Sequence, residues 1–204
     1  MRKQSIVVAG GVLAAVVTVV VATTVFMGSG DDQMTMGDGQ TMAVSDMPES
    51  STGAGPFDQA FIDAMVPHHR SAIAMANAAL EAGLQAPELR TIAQAIVDTQ
   101  QGEIDRMIDW RQQWYSSAEL DPAAGVALGM SMDEMGMGGD PEMLMHSNNV
   151  DADFASMMIV HHEGAIAMAQ MASDRAERQE ITTLAQAIIT AQQNEITTMK
   201  RFAG

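Results

Sequence analysis

Along residues 61–79 the positions that step by four and three hold Phe61, Met65, His68, Ala72, Met75 and Ala79. That spacing keeps one face of a helix toward a core, yet a histidine sits in the middle of the stripe. The pattern then recurs. Phe61, Met65, His68, His69, Ala72, Ile73, Met75 and Ala76 map onto Phe154, Met158, His161, His162, Ala165, Ile166, Met168 and Ala169, each 93 residues later. A second block, ELRTIAQAIVDTQQGEIDRM from Glu88, resembles EITTLAQAIITAQQNEITTM from Glu180 at an offset of 92. The one-residue change in offset falls in the turn between blocks, so each repeat is predicted to be a helix, a short turn and a second helix.

Breakers agree with this division. Gly83 lies near the end of the first predicted helix, and Pro87 with Glu88 suits the opening turn of the second. Pro67 stands inside the first helix and should kink it just before the histidine pair, where the second copy has Val160. Two hairpins make four helices of about 20 to 30 residues, about 30 to 45 Å each, and pairing them buries faces that neither buries alone. The expected fold is therefore all-α, a four-helix bundle over residues 57–204. Repeat one spans 57–115, a Met-rich loop 116–149 and repeat two 150–204. The loop, with its MSMDEMGMGGDPEMLMH stretch, reads as a mobile connection more than packed structure.

Upstream, Arg2 and Lys3 precede an almost unbroken apolar run over residues 6–27, with Asp31 and Asp32 beyond it. Basic-before and acidic-after flanks direct the following chain across a membrane, so residues 1–28 read as a signal peptide or an uncleaved signal anchor. Its length suits a membrane span, and no clean cleavage site follows it. Residues 29–56 read as a flexible Met, Gly and Ser tether. Either reading places residues 57–204 outside the cytoplasm: at the cell surface, membrane-anchored, secreted or periplasmic.

Composition narrows the chemistry. Ten basic against 26 acidic residues give a formal charge of −16, which repels a phosphate backbone and argues against nucleic acid as a partner. Cysteine is absent, so disulfides and thiolate metal sites are excluded. Twenty methionines stand against eight leucines, and four of the five histidines occupy the two adjacent pairs. On a helix, Met65, His68 and Met75 share an inward face across Ala72, as do Met158, His161 and Met168 across Ala165, with His69 and His162 at its flank. The returning helices carry Gln100, Glu103 and Met107, and Gln192, Glu195 and Met199, on a matching stripe. Glu103, Met107, Glu195 and Met199 are additional candidate ligands, as are Met143, Met145 and His146 of the loop. Thioethers and imidazoles together select a soft metal: copper fits best, Cu(I) ahead of Cu(II), and hard cations gain little from methionine. The ordinary alternative for each methionine is core filling, since an unbranched thioether fits irregular gaps. Two histidine pairs at equivalent places tip the balance toward ligation, and exposed methionines in the tether and loop have no core to fill.

The paired F-x-x-x-M-x-x-HH-x-x-A-I-x-M-A blocks resemble the DUF305 family, including its copper-binding periplasmic members of the CopM type. The resemblance covers residues 57–204. It implies a ferritin-like bundle that binds copper through Met and His as an extracytoplasmic metallochaperone or buffer in copper homeostasis or resistance. Carried onto this chain, the implied ligands are Met65, His68, His69 and Met75, with Met158, His161, His162 and Met168. Such a protein is not an enzyme; its partners are copper ions, a copper-accepting or copper-exporting protein, and a membrane through the N-terminal segment. Two other readings compete. A ferritin-like iron or manganese oxidase needs about four carboxylates with Glu-x-x-His pairs, and only Glu103 and Glu195 face the right way. In a metal-free interaction module the histidines would hydrogen-bond within the core. The two copies differ at Pro67 and Arg70 against Val160 and Glu163, so two copper sites of unequal affinity are expected.

Overall fold

The computed structural model describes residues 56–204; residues 1–55, with the signal or anchor segment and most of the tether, lie outside the described residues. Six helices follow in order: α1 (Pro56–Ala82), α2 (Pro87–Tyr115), α3 (Ala124–Leu128), α4 (Glu142–Met145), α5 (Val150–Arg175) and α6 (Gln179–Met199). Among the described residues no helix is long and apolar enough to cross a membrane. The four long helices form a helical bundle of two hairpins, α1–α2 and α5–α6, joined chiefly by α1 packing on α5.

The first hairpin turns on Gly83, whose φ of 90° is open to glycine and strained for other residues. There Gly83 N–H donates to the Leu80 carbonyl at 3.3 Å and Leu84 N–H to the Ala79 carbonyl at 3.2 Å. This 5→2 and 6→1 pair is a Schellman ending, and buried Leu84 folds back onto Ala79 in the same apolar cluster. Pro87 then opens α2, where a missing N–H costs nothing. Pro67 lies within α1, which continues through it, with its ring on the exposed face.

Each hairpin turn is clamped by the other repeat. The backbone N–H groups of Gln85 and Ala86 donate to the Asp151 carboxylate at 2.7 and 2.9 Å. Those of Glu177 and Arg178 donate to the Asp58 carboxylate at 3.0 and 2.9 Å. Neither α2 nor α6 has a side-chain cap of its own, so these carboxylates, from the first turns of α5 and α1, satisfy the orphan donors at their starts. The clamps hold the start of one repeat against the turn of the other, which makes α1 and α5 antiparallel.

That arrangement divides the core in two. Phe61 and Met65 pack with Met168, Ala169 and Ala172 of α5, and with Ile181, Leu184 and Ile188 of α6. Phe154 and Met158 pack with Met75, Ala76 and Ala79 of α1, and with Leu89, Ala93 and Ile96 of α2. The two clusters are related by the repeat, and the histidine pairs fall between them. One buried ion pair breaks the symmetry: Arg111 donates to Asp63 at 2.7 and 3.3 Å.

The segment 116–149 differs from the mobile loop expected of it. It folds into α3 and α4, buries Ala124, Leu128, Met135 and Leu144, and lies along α1. The reason is steric. A Cβ on Gly164 would stand 2.1 Å from the Met135 carbonyl oxygen, and one on Gly136 would stand 2.5 Å from that of Val160. Two glycines, one on each partner, let backbone meet backbone where any side chain would hold them apart.

Candidate metal centre

Where α1 crosses α5, the rings of His68 and His161 face each other with centroids 3.8 Å apart and planes tilted by 38°. Their neighbours stand outward along the layer: His69 is 6.4 Å from His68 and His162 is 6.5 Å from His161. His69 Nε2–H donates to Glu103 Oε2 at 2.8 Å and His162 Nε2–H to Glu195 Oε2 at 2.7 Å. All four histidines are buried, whereas the Glu103 and Glu195 side chains keep 15% and 19% exposure. The expected flank position of His69 and His162 is therefore interior: they face the returning helices α2 and α6, not solvent.

Hydrogen bonding settles which nitrogen is left over. His68 Nε2–H donates to the Met135 carbonyl at 2.8 Å. With Nε2 protonated in His68, His69 and His162, a neutral ring carries its bare lone pair on Nδ1. In all four rings Nδ1 is buried with no hydrogen-bond partner among the described residues, and in His161 the same holds for Nε2. Burial, reinforced by the neighbouring imidazoles, pushes His68 down to about 3 and His161 lower still. Both stay neutral near pH 7, the form a metal requires. A buried ring nitrogen without a partner costs on the order of 1–3 kcal/mol, which a ligand bound there would relieve.

The four methionines of the repeated blocks divide between the two apolar clusters. Met65, Met75, Met158 and Met168 are all buried, but Met65 shares its cluster with Met168 and Met158 shares its cluster with Met75. Each repeat thus places one of these methionines in either cluster. Met107 and Met199 are buried one in each cluster. Gln100 and Gln192, one turn before Glu103 and Glu195, are nearly fully buried with Oε1 unpartnered among the described residues. The helical stripe contained both, but an uncharged amide carries no spacing signal that marks it as a donor. Met143, Met145 and His146 are exposed on α4 and its C-terminal cap, apart from the buried layer.

The layer holds buried imidazole nitrogens, and each of the two apolar clusters holds buried thioethers. Among the described residues no group of three or more His, Asp and Glu side chains lies together in ligating geometry.

Comparison with known proteins agrees with the architecture. The family described as a domain of unknown function, DUF305, matches residues 21–110 and 58–203. Among solved structures, CopM in its Cu(I)-bound form is 34% identical, with a TM-score of 0.60 over 71% of this chain and 93% of that one. CopM in its Cu(II)-bound form is 38% identical, with a TM-score of 0.61 over the same shares. A DUF305 protein from Streptomyces coelicolor, named as a secreted-protein candidate, is 25% identical, with a TM-score of 0.64 over 70% of this chain and 89% of that one. No functionally curated protein matches. The twice-matched family model, the repeated helical hairpins and the CopM structures agree: this chain belongs to the DUF305 family.

Proposed function

We propose that the protein is an extracytoplasmic copper carrier: it holds copper as cargo through Met and His side chains, and buffers it or passes it to an accepting or exporting protein. The observation that carries this reading is the central layer of four buried histidines whose Nδ1 atoms have no partner among the described residues, on the same helices as the buried Met65, Met75, Met158 and Met168. The likeness to CopM, whose structures contain Cu(I), Cu(II) and silver, supports it. Thioethers on both sides of the layer favour Cu(I). Residues 1–28, with a basic start and an apolar run, and the secreted-protein candidate among the relatives support an extracytoplasmic location. Glu103 and Glu195 serve the layer best as acceptors that orient His69 and His162, in the manner of carboxylates behind metal-bound imidazoles.

The oxidase reading has no comparable support, because two carboxylates fall short of the four such centres use. A competition titration tests the proposal: Cu(I) shared between the protein and a chromophoric chelator, in wild type and in His68→Ala/His161→Ala. The expected result is tight wild-type binding that weakens by at least about tenfold in the double variant. Equal, weak competition by both proteins would remove the proposal.

A further inference from the structure

The segment between the hairpins meets α5 at a third glycine, and this contact differs from the other two. At Gly139 a Cβ would meet no backbone; it would stand 3.1 Å from Met75 Sδ and 3.2 Å from the Met157 methyl. Met75, from α1, is buried, and Met157, from α5, is partly exposed, so two thioethers from different hairpins meet beneath one side-chain-free residue. Gly139 and Met157 also line a surface cleft of about 470 Å³, together with Asp133, Gly136, Ser156 and Val160.

The feature is present once. Residue 64, the counterpart of Met157 in the first repeat, is alanine. Met157 lies one helical turn before His161, and residues so spaced are neighbours on a helix face. His161 is the histidine with both ring nitrogens unpartnered among the described residues, whereas its counterpart His68 donates to the Met135 carbonyl. We infer that Met157, which lines this cleft, and Met75, buried behind Gly139, form a two-thioether receiving site for Cu(I) or Ag(I), from which the metal reaches the histidine layer at His161. Two neutral sulfurs attract soft monovalent ions, reject hard cations and release no proton on binding. Met157 packs against the apolar cluster on one side and lines the cleft on the other, so its thioether is reachable from solvent. As a route, the inference rests on the copper reading above, with which it shares Met75; what it adds as a binding site is Met157.

Silver separates the two. In full-length protein with ¹³C-labelled methionine methyls, sub-stoichiometric Ag(I) should shift the Met75 and Met157 methyl resonances together. The Met75 shift should disappear in Met157→Leu, while Met132→Leu, which removes an exposed thioether elsewhere in the segment, should leave it unchanged. Transfer of Cu(I) from a chromophoric chelator should slow by about tenfold in Met157→Leu with the final extent of transfer preserved. Gly139→Ala, which sets a methyl against both thioethers, should slow it likewise. In His68→Ala/His161→Ala the silver-induced shifts of Met75 and Met157 should persist, so a failed histidine layer would show as lost copper retention with an intact thioether site. The inference is overturned if saturating silver leaves both methyls unmoved, or if Met157→Leu takes up copper at the wild-type rate.

Discussion

His69 and Glu103 show how much one contact decides. The Nε2–H···Oε2 bond assigns the proton to Nε2 and leaves Nδ1 bare, and His162 with Glu195 repeats the assignment. Long-range ¹⁵N–¹H spectra of the metal-free protein should therefore show His68, His69 and His162 as Nε2–H tautomers; an Nδ1–H tautomer at His69 would contradict the geometry. Removing the acceptor in Glu103→Ala should lower copper affinity by about 10- to 100-fold while the helical content is retained, measured by chelator competition and circular dichroism. The histidines, methionines and glutamates of the layer were legible from their spacing in the two repeats. The stacking of His68 on His161 was not, because it follows from how α1 crosses α5, and periodicity within one helix carries no information about a crossing point.

At the scale of elements, the hairpins follow from the 93- and 92-residue offsets together with Gly83 and Pro87, whereas the contacts that join them had no local signature. Asp58 and Asp151 are equivalent in the repeat, so their duplication was visible, but each caps a turn more than 60 residues away in sequence. Asp58→Ala or Asp151→Ala should each cost about 2–3 kcal/mol, because two charge-assisted hydrogen bonds are lost and two helix-start N–H groups are left without an acceptor. Chemical denaturation measures this, and a loss within about 0.5 kcal/mol, usual for plain surface substitutions, would show the clamps to be incidental. The segment 116–149 was read as mobile because its Gly, Pro and Met content hides its docking, which depends on Gly136 and Gly164 meeting backbone. Gly164→Ala should release the Met135 region from α5, costing about 1–3 kcal/mol and raising amide exchange at residues 133–139. Unchanged exchange there would mean that the close approach is not what holds the segment.

For the whole molecule, two apolar clusters enclose one polar layer, and that layer ties stability to pH. Burial depresses His68 to about 3 and His161 further, against an unfolded value near 6.5. Between those limits the unfolded chain binds more protons than the folded one, so stability rises with pH and falls on acidification. Well below pH 6.5 and above about 3, the metal-free protein should lose about 1.4 kcal/mol per pH unit for each of the two histidines. Urea unfolding at a series of pH values measures the slope, and the His68→Ala/His161→Ala variant should flatten it. Copper bound only by the folded state opposes this loss and raises the thermal midpoint, with about 2.7 kcal/mol of stabilisation at a free concentration 100 times Kd. The bundle and its two halves were legible in the sequence. That His68 of one half meets His161 of the other was not, since it depends on the antiparallel packing set by the aspartate clamps.

The central claim is that this buried layer, and not the exposed methionines, holds copper. Diffraction at the copper edge from crystals of the Cu(I)-loaded protein locates the metal directly. An anomalous peak is expected within the α1–α5 layer beside His68 and His161, absent from the His68→Ala/His161→Ala variant. Peaks confined to Met143, Met145 and His146 on the surface, with none in the layer, would contradict it.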